Sequence, residues 1–397
     1  MAGPLQGIRI LDLTQVLFGP FSTMLLSDLG AEVIKIERPE VGDIARGNGP
    51  VVRGQSTYFL SLNRGKKSVT LDLAAEKGVA VFLELVRHAD ILVQNFKPGT
   101  MEKMGLGYEK VKEYNPRIIY VSGSGFGQDG PYAQKPAFDV IIQAMGGMMS
   151  ITGEEGGLPV RPGVSYGDIA ASLFLCIATL AALQERHISG RGQLIDISML
   201  DCQVAVQENA FVRYLNTGEI PRALGTRHPV MTPFQTFQTS DGSIAVALRG
   251  GFKDQWPLFC AAIDRVDLID DPRFTDGWQR TQNYQVLEPI MTAAMKTRTT
   301  QEWIEEFEGV GIPCGPLNTI DRVAKDPQIV ARNMFIDVRH PTAGTFKVVN
   351  SPFKFSRSEY REEKAAPELG EHTQEVLSQL AGMTRDEISR LRDKGVI

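Results

Sequence analysis

Apolar positions in the first 200 residues fall into short runs of two kinds. Residues 8–13, 31–37, 68–73, 90–96, 117–122 and 193–199 are compact runs rich in Ile, Leu and Val, which predicts strands. Between them, 21–29, 77–88 and 108–114 carry the spacing of helices. Gly19-Pro20 opens the first of these helices and Gly30 closes it, as a start and a stop should. The longer apolar run 169–183 predicts a buried helix of roughly four to five turns. Apolar strands joined by short crossover helices predict a mostly parallel sheet covered on both faces, an α/β fold.

The pattern changes after residue 215. Residues 234–248 read as a hairpin with Asp241-Gly242 in its turn, and helical segments follow through 303–307. Residues 335–338 and 344–349 return to strand-like text, and the chain closes in a polar helical tail. The expected organisation is a large Rossmann-like domain from 1–215 and 326–397 and a small α+β domain at 226–325. The segment 216–225, holding Gly218-Glu-Ile-Pro-Arg222, is the linker.

Composition narrows the function. The 397 residues suffice for two or three domains. With 42 basic and 47 acidic residues the net charge is −5, which gives no reason to expect nucleic acid or a membrane surface as partner. The apolar stretches read as interrupted or too short to span a bilayer, and the first residues carry no secretory pattern. Cys176, Cys202, Cys260 and Cys314 are widely spaced and form no metal motif, which fits a reducing cytoplasm. The five histidines are scattered, so no Ser-His-Asp set and no zinc or magnesium site is expected.

Four features remain as candidates for chemistry. Asp168 ends the constrained segment 158–168, beside Gly167, just before the long apolar run. It is either an N-cap or a carboxylate nucleophile with room for a substrate at the glycine. The first βα turn, residues 14–20, lacks the G-x-G-x-x-G of a dinucleotide site. Arg38, Arg64, Lys66, Lys67, Lys97 and Lys103 follow strands and are either surface charges or a shared site for a phosphorylated ligand. The glycine-rich run 123–131 offers a backbone cradle for anions, and Arg249-Gly250-Gly251 is either a turn or a mobile cover.

Several motifs in order carry a resemblance over nearly the whole chain. They are Asp12-Leu-Thr-Gln15 with Gly19-Pro20, Leu29-Gly-Ala-Glu-Val-Ile-Lys-Ile-Glu-Arg-Pro39, Leu62-Asn-Arg-Gly-Lys-Lys67, Asn95-Phe-Lys-Pro-Gly99, Met104-Gly-Leu-Gly107, Gly125-Phe-Gly-Gln-Asp-Gly-Pro131, Gly167-Asp168, Gly190-Arg-Gly-Gln193, Ile312-Pro-Cys-Gly-Pro316 and Gly370-Glu-His-Thr373. The chain resembles the class III CoA-transferases, the CaiB/BaiF family, which includes formyl-CoA transferase. The resemblance implies an enzyme that moves CoA from an acyl-CoA to a free carboxylic acid, with Asp168 as the nucleophile that forms the covalent intermediate. It implies no metal and no tightly bound cofactor, the CoA thioester being substrate, and an interlocked homodimer. It also implies that Asp168, which must be ionised, needs no raised pKa.

The family's CoA-binding positions fall on Val16, Leu17, Arg38, Leu71, Asp72, Leu73, Ala74, Asn95, Phe96, Lys97 and Lys103. Lys135, Pro136, Ala137 and Phe138 lie nearer the acyl end, and Gly250 and Gly251 align with a substrate loop. Lys103 stands where formyl-CoA transferase has arginine, Leu17 where it has glutamine and Phe138 where it has tyrosine. The less polar pocket this implies points to a larger acid, a dicarboxylate such as succinate or glutarate, with Arg161 or Arg249 available for its far carboxylate. The alternatives are an α-methylacyl-CoA racemase-like enzyme, which would carry histidine in place of Phe138 before Asp139, or a non-catalytic CoA-binding protein.

Overall fold

The computed structural model describes residues 3–251, 254–358 and 365–397. Two compact units emerge. One takes residues up to 148, 161–219 and 330 onward, and the other takes 149–160 and 220–329. The excursion 149–160 has no counterpart in the sequence reading, because it carries no apolar run. Backbone bonds place it: Val160 N–H donates to Thr152 O, and Gly225 N–H to Gly153 O.

The first unit runs β1 (Arg9–Asp12), α1 (Phe18–Asp28), β2 (Glu32–Glu37), β3 (Val51–Val52), β4 (Gln55–Ser56), α2 (Thr57–Asn63), β5 (Lys67–Thr70), α3 (Glu76–Val86), β6 (Ile91–Gln94), α4 (Thr100–Lys103), α5 (Tyr108–Tyr114), β7 (Ile119–Ser124), α6 (Asp139–Met145), α7 (Tyr166–Ser189), β8 (Leu194–Ser198), α8 (Met199–Ala205) and α9 (Glu208–Thr217). Six strands form one sheet in the order β5-β2-β1-β6-β7-β8. Every neighbouring pair is parallel. The order reverses between β1 and β6, and such a switch point opens a crevice beyond the strand ends.

Alternation along the strands divides the core. Leu11, Ile34, Val69 and Leu92 face α3 and α5. Ile10, Val33, Ile91 and Val121 face α1 and α7. At about 25 cal/mol per Å² of apolar area, a sheet buried on both faces gains most of its stability here. Helix α1 starts at Phe18, three residues before the expected Phe21. It takes Gly19 and Pro20 into its first turn, where proline's missing N–H costs nothing. The polar tail forms helices Thr373–Leu380 and Arg385–Asp393, whose Val376, Leu377, Ile388 and Leu391 join the core on the Leu11 face.

Helix α7 departs from expectation. It spans 24 residues, not the fifteen-odd of the apolar run, and is long and apolar enough to cross a bilayer by length and composition. Ala171, Leu175, Ala182 and Leu183 pack with α1 and the sheet, the place of a core helix. Its other side is open: Leu173, Ile177 and Leu180 form an exposed stripe at helical spacing, Ile177 being 61% accessible.

In the second unit β9 (Phe234–Gln238), β10 (Ser243–Ala247) and β11 (Cys314–Pro316) form an antiparallel sheet in the order β11-β10-β9. Asp241 and Gly242 lie in the hairpin turn. Trp303 and Phe307 stack at 5.3 Å, and Phe259 and Phe307 at 5.7 Å, in a core closed by helices. β12 (Phe335–His340) and β13 (Gly344–Val349) belong to the first unit and pair with each other.

Candidate active site

The first βα turn is built on buried charge. Asp12 and Lys35 continue the Ile10 and Val33 face of the sheet at its C-terminal edge. Both are fully buried, as are Asp43 and Lys66 nearly so. Lys66 Nζ lies 3.0 Å from Asp12 Oδ2, and Lys35 Nζ 2.9 Å from Asp43 Oδ2. Lys66 also donates to Pro20 O, Thr23 Oγ1 and Asn63 Oδ1. Burial drives the Asp12 carboxyl upward, yet Lys66, Lys35, Thr14 and Thr23 outweigh it and hold Asp12 well below the usual range. Burial also pushes the Lys66 ammonium down, to about 8, against the pull of Asp12.

This network fixes the backbone of residues 14–17. Lys35 Nζ donates to Thr14 O at 2.6 Å, and Val16 N–H donates to Asp43 Oδ1 at 3.1 Å. Across the switch point Asn95 accepts from Gln15 N–H and donates to Gln15 O, each at 2.9 Å. Val16 adopts φ +68°, a left-handed conformation that costs a β-branched residue about 1–2 kcal/mol. Two expected positions, Val16 and Asn95, are therefore brought together at the crevice, with Leu17 next to them.

Arg38 is exposed and shares a cavity of about 590 Å³ with Asp72, Thr70, Gly370, Thr373 and Arg392. Asp72 N–H is bound to Val396 O, while Leu71 is buried and Ala74 exposed. Lys97 and Lys103 are exposed, and Phe96 packs on the core. Gln134 donates to Pro98 O at 3.4 Å, which sets the 134–138 segment beside the Lys97 loop. There Lys135 lies 3.8 Å from the Tyr132 ring centroid, Pro136 is exposed, and Phe138 is the N-cap residue of α6 with 71% of its surface accessible. Ala137 comes so close to Gly125 that a Cβ there would meet its own at 2.1 Å, so only glycine fits.

Three expectations need correction. Arg64, Lys66 and Lys67 are not free for a phosphorylated ligand. Arg64 pairs with Asp28, Lys66 with Asp12, and Lys67 with Glu32 and Glu375. Within the run 123–131, Gly127 N–H is taken by Ser124 Oγ and Gln128 N–H by Asp196 Oδ2, so those amides do not cradle an anion. Arg161 is engaged at Asp139 through Nε and Nη2 at 3.1 and 2.7 Å and at Ser165 Oγ at 3.0 Å. Gly250 and Gly251 are exposed in the second unit. Asp254 N–H donates to Gly251 O and Gln255 N–H to Arg249 O, and residues 252–253 lie outside the described ones.

Asp168 stands at the third position of α7. Ser165 holds the N-cap position and makes no side-chain cap bond, so Asp168 is not the cap. Gly167 is buried, its N–H donates to Asp139 Oδ1 at 2.9 Å, and a Cβ would crowd that oxygen and Ile142. Among the described residues the Asp168 carboxylate makes no hydrogen bond and no ion pair. Burial first, then the Asp139 charge, push it from 3.8 to about 7, against the weaker opposing pull of Arg161. This corrects the expectation of an unshifted carboxyl. One turn on, Ser172 Oγ lies 2.6 Å from Phe18 O and 2.7 Å from Asp168 O, which ties the first turn of α7 to the start of α1.

Tyr58 was not legible as a site residue. It is the second residue of α2. Burial raises its phenol, and Asp168, Asp43 and Asp139 raise it further, which places it within the field of all three carboxylates.

A switch-point crevice and, among the described residues, an unpaired and partly buried Asp168 carboxylate are what the first unit offers for chemistry. The family model described as CoA-transferase family III matches residues 5–373. The chain belongs to that family and is a CoA-transferase. It is 40% identical over 395 residues to a mouse (Mus musculus) protein named succinyl-CoA:glutarate CoA-transferase, covering 99% of this chain and 90% of that one. An Acetobacter aceti protein named acetyl-CoA:oxalate CoA-transferase is 40% identical over 371 residues, 93% of this chain and 94% of that one. A solved CaiB/BaiF family protein from Brucella suis superposes with a TM-score of 0.84 at 36% identity, covering 96% of this chain and all of the other.

Proposed function

We propose that the enzyme moves CoA from succinyl-CoA to a dicarboxylic acid of the glutarate class through Asp168. The observation that carries this is the unpaired Asp168 carboxylate at the start of α7. Its oxygen attacks the thioester carbonyl, giving a mixed anhydride and CoA thiolate. The thiolate attacks the Asp168 carbonyl, forming the aspartyl thioester and releasing the first acid. The acceptor carboxylate then attacks that thioester, giving a second mixed anhydride and CoA thiolate, and the thiolate attacks the acceptor's acyl carbonyl to form the new acyl-CoA and free the Asp168 carboxylate. A carboxyl titrating at about 7 is about half ionised at neutral pH, and the ionised form is the nucleophile.

In this reading Val16, Leu17, Arg38, Leu71 to Ala74, Asn95 to Lys97 and Lys103 hold the CoA moiety, and Lys135 to Phe138 lie toward the acyl end. Leu17 and the open Phe138 ring favour methylenes, at about 0.8 kcal/mol per buried CH₂. The name of the mouse relative supports glutarate. The name of the Acetobacter relative supports a second reading, oxalate as acceptor. Incubation with acyl-CoA and hydroxylamine should leave a hydroxamate on the Asp168 peptide, read by mass spectrometry; an unmodified peptide during turnover overturns the covalent route. A panel of acids with succinyl-CoA should rank glutarate above oxalate by kcat/KM, and the reverse order selects the second reading.

We also infer a homodimer. The exposed Leu173–Ile177–Leu180 stripe and a first unit assembled from separated chain segments support it. Native mass spectrometry at nanomolar protein should find twice the 43.7 kDa chain mass, and a monomer refutes the inference.

A further inference from the structure

We propose that the buried Lys35–Asp43 ion pair is a positioning device for the Val16–Leu17 turn and sets the affinity for acyl-CoA, not the rate of acyl transfer. The proposal rests on the reading that this turn holds the CoA thioester. Both partners are sealed from solvent, and neither reaches the crevice as a free group. Two of their remaining bonds go to the turn, from Lys35 to Thr14 O and from Val16 N–H to Asp43 Oδ1, while Ala45 N–H, two residues on, also donates to Asp43 Oδ1. One bond falls on each side of Gln15, whose own N–H and C=O are held by Asn95. Four polar contacts thus converge on three residues, one of which is a valine in a left-handed conformation. Valine leaves that conformation when released, because its branched Cβ crowds the backbone there. A backbone held in a sparsely populated region persists only where its surroundings over-determine it. Here the surroundings are an ion pair reaching the turn from β2 and from the loop after it.

The pinned turn leads directly into α1. Ser172 bridges Phe18 O and Asp168 O, so Leu17 lies between the pinned residue and the anchor shared with the nucleophile's helix. Slack at Val16 therefore displaces Leu17 while Ser172 keeps α1 against α7. Substrate binding should suffer and the chemistry at Asp168 should not.

Glycine makes the test specific, since it adopts positive φ without support. Asp43→Ala should raise KM for succinyl-CoA about ten-fold and leave kcat within about three-fold. Adding Val16→Gly to Asp43→Ala should bring KM back to within about three-fold of the unmodified enzyme. Should Asp43→Ala fail to fold, Lys35→Met with Asp43→Leu removes the pair without stranding a charge, and the same rise and the same recovery are expected. An unchanged KM in whichever pair variant folds overturns the proposal. So does a raised KM that Val16→Gly does not recover, which would mean general damage to the fold. Calorimetry of acyl-CoA binding to the unmodified enzyme separates the two readings. An unmodified enzyme that binds no acyl-CoA defeats the reading of the site, whereas normal binding with insensitive variants defeats the positioning role alone.

Discussion

Asp12 and Asp168 belong to the same unit, and both lie largely out of water. Asp12 is met by Lys66, Thr14 and Thr23 and by the charge of Lys35, and is held far below the usual carboxylate range. Asp168 meets the like charge of Asp139, keeps no hydrogen bond among the described residues, and is pushed up to about 7. Burial acts on both in the same direction. The partners decide whether the fold uses the carboxylate as a structural tie or leaves it with unspent reactivity.

Removing each carboxylate's charge in turn separates the two roles. Asp168→Asn should lower kcat by a factor on the order of 10³ or more, measured by thioester transfer, with acyl-CoA binding retained. Near-normal turnover in verified Asn protein would strip Asp168 of its role. Asp12→Asn leaves Lys66 and Lys35 short of countercharge, and urea titration should find a loss of about 3–5 kcal/mol. A loss below about 1 kcal/mol would mean the network tolerates the gap.

A third measurement follows stability against pH. Because the folded-state pKa of Asp168 lies above its ordinary value of 3.8, ionising it costs stability as pH rises from about 4 through about 7. Asp168→Asn should therefore match the parent near pH 4 and exceed it above pH 7, by on the order of 2 kcal/mol once solvent screening is allowed for. Asp12 works in the opposite sense: its stabilisation is present above 3.8 and lost as pH falls. Activity should rise with pH along a limb near 7. The smallest expected effect is Arg161→Met, which removes a cation that lowers Asp168 and unpairs Asp139, so that limb should move to higher pH. A limb that moves lower would exclude Arg161 as its moderator.

Much of this was legible in the sequence. Strands β1, β2, β6 and β7 and the hairpin β9–β10 follow from apolar runs and from Asp241-Gly242. The motifs around Val16, Asn95 and Asp168 pointed to a CoA-transferase. What stayed hidden depends on side-chain partners. Arg64 and Lys66 look like ligand cations until Asp28 and Asp12 are found beneath them, 36 and 54 residues away. Arg161 looks free until it meets Asp139. The pKa of Asp168 depends on Asp139 and on burial, neither of which leaves a periodic trace. Tyr58 and the excursion 149–160 carry no periodic apolar spacing to betray them, the glycines of 153–157 reading only as a turn.

The bond from Asp72 N–H to Val396 O joins positions far apart along the chain, and the helices at 373–380 and 385–393 complete the core beneath β2 and β5. A chain emerging from the ribosome makes β1 to β8 first, and α3 and α5 cover part of one face, but that cover stays incomplete until residues 373–393 are synthesised. The intervening second unit closes on contacts of its own in the meantime. Pairings of such high contact order are slow, and an uncovered apolar sheet is prone to stick to its neighbours. The nascent enzyme thus carries an incompletely roofed sheet until residues 373–393 arrive, and the slow, long-range closure of that face is the step at which it is most exposed to its neighbours.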